Sequence, residues 1–131
     1  EHLVQTLQLS DVDCRWGRAE ELGQDLHFRE RYDVVLARAV ADLAELAEYC
    51  LPLCRKGGCF VASKGGDVAR EIELASPAIR LLGGELREVK TYELPALSEP
   101  RSLVLIEKVA ATPAKYPRRP GMAHKRPLSA D

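Results

Sequence analysis

An open α/β sheet with parallel strands and an antiparallel end is the fold class this sequence predicts, on three observations. Compact apolar runs rich in β-branched residues alternate with stretches of helical periodicity. Glycine pairs punctuate the changes between them. The last two strand-like segments follow one another with no helix between, which calls for an antiparallel return. At 131 residues, 46% hydrophobic and 30% charged, the chain carries enough apolar side chains for a single core.

The elements follow in order. Leu3, Val4, Leu7 and Leu9 have near-helical spacing, and Ser10-Asp11 ends that helix. Val12 to Trp16 places apolar residues on alternate positions and is expected to form a short strand. Gly17-Arg18-Ala19-Glu20-Glu21-Leu22 then turns into a short helical segment, followed by a polar stretch from Gln24 to Arg31. Tyr32 to Ala37 has the form of a strand covered on both faces of a parallel sheet, with Arg38 immediately after it. Ala41 to Leu53 repeats apolar residues at helical spacing until Lys56-Gly57-Gly58, whose glycines tolerate left-handed backbone and are expected to end the helix. Cys59 to Ala62 is the next buried strand, leaving through Ser63-Lys64-Gly65-Gly66. Asp67 is placed to cap a helix over 68–82, in which Pro77 is expected to cause a kink or a division. Gly83-Gly84 closes that helix, and strands over 86–94 and 101–108 complete the sheet.

The overall charge of -1 conceals an asymmetry. Beyond Ala110, Lys115, Arg118, Arg119, Lys125 and Arg126 stand against Asp131 alone, so residues 111–131 form a basic tail on an acidic body of residues 1–110. Such a tail either meets a polyanion such as RNA or folds back on the body. Pro113, Pro117, Pro120 and Pro127 predict that it is extended, without regular structure, and held by packing or by a partner. No apolar run approaches the roughly 20 residues of a membrane helix and no signal peptide opens the chain, which places the protein in the cytoplasm with no membrane partner.

Cys14, Cys50, Cys54 and Cys59 lack the paired spacing of a zinc site and are expected to be buried thiols. His2, His27 and His124 lie in a terminus, a connector and the tail, which argues against a hydrolase triad, and no dinucleotide or phosphate-binding glycine fingerprint is present. In an open parallel sheet, ligands gather at the C-terminal strand edges, where Arg38 and Lys64 stand. Each can bind an anionic ligand or a neighbouring loop. The small residues of Gly17-Arg18-Ala19-Glu20 would let a flat ring lie against a third such edge.

Together, GRAEEL, YDVVLARAVADL, LPLCRKGGCFVASKGG, LGGELREV, PRSLVLIEK and TPAKYPRRPGMAHKRPL resemble the bacterial 16S ribosomal RNA guanine-N7 methyltransferase family, also called glucose-inhibited division protein B. The resemblance runs over almost the whole chain, although Met122-Ala123 stands where members often carry an apolar residue followed by proline. It implies a Rossmann-like class I methyltransferase sheet of which this chain supplies the third strand onward, a partial domain over 1–110 followed by the tail. The glycine-rich loop and the acidic ribose-binding residue would lie in the part not represented. It implies S-adenosyl-L-methionine as cofactor, with Ala19 and Glu20 beside the adenine and Arg38 at the cofactor-facing strand end. It implies 16S ribosomal RNA or the small ribosomal subunit as partner. Arg38, Lys64 and Arg101 would orient RNA or cofactor, the five tail cations would meet phosphates, and Tyr116 would stack on a base. No catalytic base is expected, because the N7 lone pair is already nucleophilic.

The alternatives are a non-catalytic RNA-binding domain using the same tail and, more remotely, a cofactor-binding half of an oxidoreductase. If the family arrangement holds, the 131-residue chain alone should bind the cofactor poorly and transfer no methyl group. Its unpaired strand edge should favour self-association.

Overall fold

The computed structural model describes residues 1–38 and 41–129. Its centre is a four-stranded sheet in the order β1-β2-β4-β3. β1 (Tyr32–Arg38) runs parallel to β2 (Cys54–Gly65), while β4 (Arg101–Lys108) is antiparallel both to β2 and to β3 (Gly84–Tyr92). The antiparallel strand is thus inserted between β2 and β3. This is the α/β sheet with an antiparallel end expected from the sequence.

α1 (His2–Thr6) and α2 (Ala19–Leu22) precede the first strand. Two further helices cover one face. α3 (Leu43–Cys50), followed by a 3-10 turn over Leu51–Leu53, and α4 (Val68–Leu81) pack on Phe60 and Ala62 of β2 and on Val104 and Ile106 of β4, all four fully buried. The register sets Phe60 opposite Ile106 and Ala62 opposite Val104, so the alternation of each strand delivers its apolar residues to the same side. Pro77 sits inside α4, which remains one helix. Asp67 occupies the position before α4 but makes no capping bond with its side chain.

Four expectations are corrected. Val12 to Trp16 forms no strand, since no neighbouring strand offers it a ladder, and Trp16 is fully exposed. β1 is not covered on both faces: Val35 and Ala37 pack on the helix side, whereas Val34 is 56% and Leu36 74% exposed on the other, and among the described residues one edge of β1 has no partner. The helix before Lys56-Gly57-Gly58 ends earlier, at Cys50, and those three residues bulge within β2, where the register slips between Tyr32 and Val34. Gly57 does take positive φ, but inside a strand.

The tail is the fourth. It contains one helical turn, α5 (Met122–Lys125), in the proline-free interval between Pro120 and Pro127. It is also bound to the body. Arg29 donates to the carbonyls of Thr112, Pro113 and Tyr116, Gln24 to those of Ala114 and Pro117, and the Thr112 hydroxyl to Leu82 O at 2.6 Å. Tyr116, Pro117 and Ala123 are buried. Part of the basic tail thus folds back on the acidic body, while Lys115, Arg119, Lys125 and Arg126 stay exposed.

Candidate functional site

The C-terminal ends of β1 and β2 lie side by side, with Arg38 in register with Ser63. Arg38 is exposed, and among the described residues no hydrogen bond or ion pair holds its side chain. Arg101 begins β4 opposite Gly65, half-buried, with its guanidinium lying against that glycine. Lys64 is different. Its ammonium donates to Ala41 O at 2.8 Å and pairs with Glu71 at 2.6 Å, and the residue is 8% exposed. Glu71 also accepts from the Leu43 amide at 2.8 Å and so caps α3 from a different helix. Lys64 therefore joins β2, α3 and α4, and its expected place on an RNA surface is corrected: a buried, doubly bound ammonium does not reach a phosphate.

Beside this edge lies a groove of about 530 Å³, lined by Gly17, Arg18, Ala19, Glu20, Glu45, Tyr49, Gly121 and His124. α2 (Ala19–Leu22) supplies the small wall residue Ala19 and the acid Glu20. Glu20 is 4% exposed and accepts from the Arg18 guanidinium at 3.0 Å and from the Gly121 amide at 3.2 Å. Burial alone would raise its carboxyl. The hydrogen bonds, from its own backbone amide, Arg18 and Gly121, outweigh that and hold it below the usual carboxylate range, so Glu20 is a fixed anion.

The opposite wall belongs to α3. Glu45 accepts from the Tyr49 hydroxyl at 2.8 Å and lies 3.2 Å from His124 Nδ1. Burial, then the Glu45 carboxylate, push the Tyr49 phenol upward, which keeps it a hydrogen-bond donor. One turn on, Glu48 is 1% exposed and is met by Arg118, whose Nε and Nη2 take its two oxygens at 2.9 and 2.7 Å while the Arg118 amide adds a third bond. This is a fork-to-fork pair of the strong kind. A smaller cavity, lined by Ala41, Asp42, Glu45, His124 and Pro127, continues the groove toward the start of α3.

The structure thus brings Ala19 and Glu20 together in one groove and places Arg38 and Arg101 at the sheet edge. Two tail assignments are corrected. Arg118 is committed to Glu48, and Tyr116, 6% exposed within the core, has no free face for a base. Lys115, Arg119, Lys125 and Arg126 are exposed. Sequence reasoning passed over Glu45, Glu48, Tyr49, Gly121 and His124. The signal was available: two acids three residues apart in an otherwise apolar helix need a cationic partner if that face is buried, and the tail holds the excess cations.

Among the described residues no helix is long and apolar enough to cross a membrane.

A family model described as rRNA small subunit methyltransferase G (GidB) matches residues 1–103. The chain belongs to that family. Curated relatives agree. Proteins named ribosomal RNA small subunit methyltransferase G from Pelotomaculum thermopropionicum, Oceanobacillus iheyensis and Bacillus cytotoxicus are 52%, 47% and 50% identical over 122, 127 and 127 residues. The matches cover 93 to 97% of this chain but only 51 to 53% of each relative. The chain spans about half the length of the curated relatives it matches.

Proposed function

We propose that this chain serves as the C-terminal half of an S-adenosyl-L-methionine-dependent methyltransferase acting on guanine N7 of 16S ribosomal RNA in the cytoplasm. The groove bounded by Ala19 and Glu20, in a chain of this family, carries the reading. Residues 1–110 would form the partial methyltransferase domain and residues 111–131 its basic tail.

The cofactor would bring an activated methyl sulfonium. For their part, Ala19 and Glu20 would receive the adenosine end, Ala19 leaving room for a flat ring and Glu20 offering a fixed carboxylate to hydrogen-bond donors. Arg38, at the neighbouring strand end, would offer a cation to the cofactor or the RNA. The guanine N7 lone pair lies in the ring plane and needs no base to release it, so orientation is the protein's task. That accords with a groove whose titratable groups hold one another rather than standing free. Arg101, Lys115, Arg119, Lys125 and Arg126 would contact RNA phosphates, giving an affinity that falls with salt.

A complementary segment should complete the sheet. The free edge of β1, its exposed Val34 and Leu36, and the exposed Leu3, Leu7 and Trp16 are the apolar surface such a segment would cover. Without it, a second copy of the chain would compete for that edge.

The deciding experiment is methyl transfer to small-subunit RNA by the 131-residue chain alone and by the chain joined to the N-terminal half of the Pelotomaculum relative. Transfer to guanine N7 only by the joined protein is expected. RNA binding with no transfer by either would replace this reading with that of a non-catalytic RNA-binding domain, and turnover by the chain alone would show the complementary half dispensable.

A further inference from the structure

The tail is fastened to α2, to α3 and to the residue before α3. Arg118 holds Glu48, the Gly121 amide donates to Glu20, His124 meets Glu45, and Pro127 lines the cavity beside Asp42. Two of these contacts fall on the walls of the groove itself. Glu20 owes two of its fixed hydrogen bonds to Arg18 and Gly121, one from its own segment and one from the tail. The Gly121 amide reaches Glu20 because the chain three residues earlier is pinned by Arg118, whose partner Glu48 has no access to water. Removing that anchor leaves a buried carboxylate unpaired and frees the segment that carries Gly121 and His124.

We infer that residues 118–124 form a positioning strap for the nucleoside groove, in which the Arg118–Glu48 pair sets the tail so that the Gly121 amide orients Glu20 and His124 completes the opposite wall. The inference rests on the proposed reading of the groove and adds to it that Arg118 and Glu48, which do not line the groove, act on ligand affinity through Gly121 and Glu20. The tail then has two separate tasks. Its buried residues shape the groove, and its exposed cations, Lys125 and Arg126, are delivered next to it.

The test uses adenosine and S-adenosylhomocysteine titrated into the 131-residue chain labelled for amide nuclear magnetic resonance, where weak binding is readable. In the unaltered chain, the amides of Ala19, Glu20, Gly121 and His124 should shift along one binding curve. Glu48→Gln and Arg118→Ala should weaken binding about tenfold, as expected for losing charge-assisted hydrogen bonds, and Arg118→Lys, which keeps the charge but not the fork, should fall between. A purely structural tail would lower the melting midpoint of these variants yet leave the dissociation constant, measured well below that midpoint, unchanged; that result overturns the inference. If a variant does not fold, the unaltered chain decides: exchange of the Gly121 amide should slow about tenfold on saturation with adenosine, and an unchanged rate overturns the strap. Absence of any shift at Gly121 and His124 does the same. Methyl transfer by the joined protein is read separately, so the strap can fail while the proposed activity stands.

Discussion

Replacing Gly83 with alanine should cost about 3 kcal/mol, and the structure says how that divides. Gly83 has φ of +90°, and a Cβ there would lie 2.1 Å from the Ala110 carbonyl oxygen and 2.9 Å from its carbon. The backbone conformation alone disfavours an L-residue by about 1 kcal/mol. The clash is with main chain, so no side chain can swing away. Relief requires the segment after β4 to retreat by roughly an ångström, since carbon and oxygen sit comfortably at about 3.3 Å. That retreat strains the bonds from the Val109 and Ala110 amides to Gly83 O, now 2.8 and 3.1 Å, each contributing about 1 kcal/mol. Gly66 is the control: its φ is +74°, but nothing lies within 4 Å of the Cβ position. Gly66→Ala should therefore lose only the conformational part, about 1 kcal/mol. Urea unfolding of both variants beside the unaltered chain, with a common slope, reads the difference. Equal losses for the two would refute the steric argument.

Burial pushes the thiols of Cys50 and Cys54 up to about 12. A thiol raised in the folded state contributes stability that is intact below its ordinary value of 9.0 and lost as pH rises toward about 12, so unfolding midpoints should fall across that window. Of the four cysteines expected to be buried, Cys14 is instead exposed and Cys59 half-buried. At neutral pH a disulfide reagent should modify Cys14 at once and Cys50 and Cys54 only on unfolding; prompt reaction of these two in the native chain would contradict their buried assignment. Lys64→Met removes the donor to Ala41 O and the partner of Glu71, and should destabilise by about 2 kcal/mol with RNA affinity unchanged. Weaker RNA binding at full stability would return Lys64 to the RNA surface. Leu36→Lys places a charge on the open face of β1 and should shift the chain toward monomer in sedimentation; association undiminished by the charge would locate it elsewhere.

The strands and helices were legible because their signals are local. The spacing of Leu43, Leu46, Ala47 and Cys50 marks α3, and the boundaries of β4 were read to the residue. Val12 to Trp16 shows where that approach stops: alternation describes a segment fit for a sheet, but a strand exists only when another strand supplies the ladder. The same holds for Tyr32 to Ala37, whose apolar run signals burial on two faces while only the helix side is covered here. Nothing local distinguishes a run already covered from one awaiting cover.

By itself, the sequence determined the fold class and the family, since each depends on short-range periodicity or on contiguous motifs. Tertiary structure alone decided which charges are free. Arg118 and Glu48 are 70 residues apart, Gly121 and Glu20 are 101 apart, and Lys64 finds Glu71 only because α4 turns back over β2. A cation on a surface and a cation closing a buried carboxylate are the same letter in the chain. What separates them is the cost of leaving the carboxylate without a partner away from water, and that cost arises only once the core has formed.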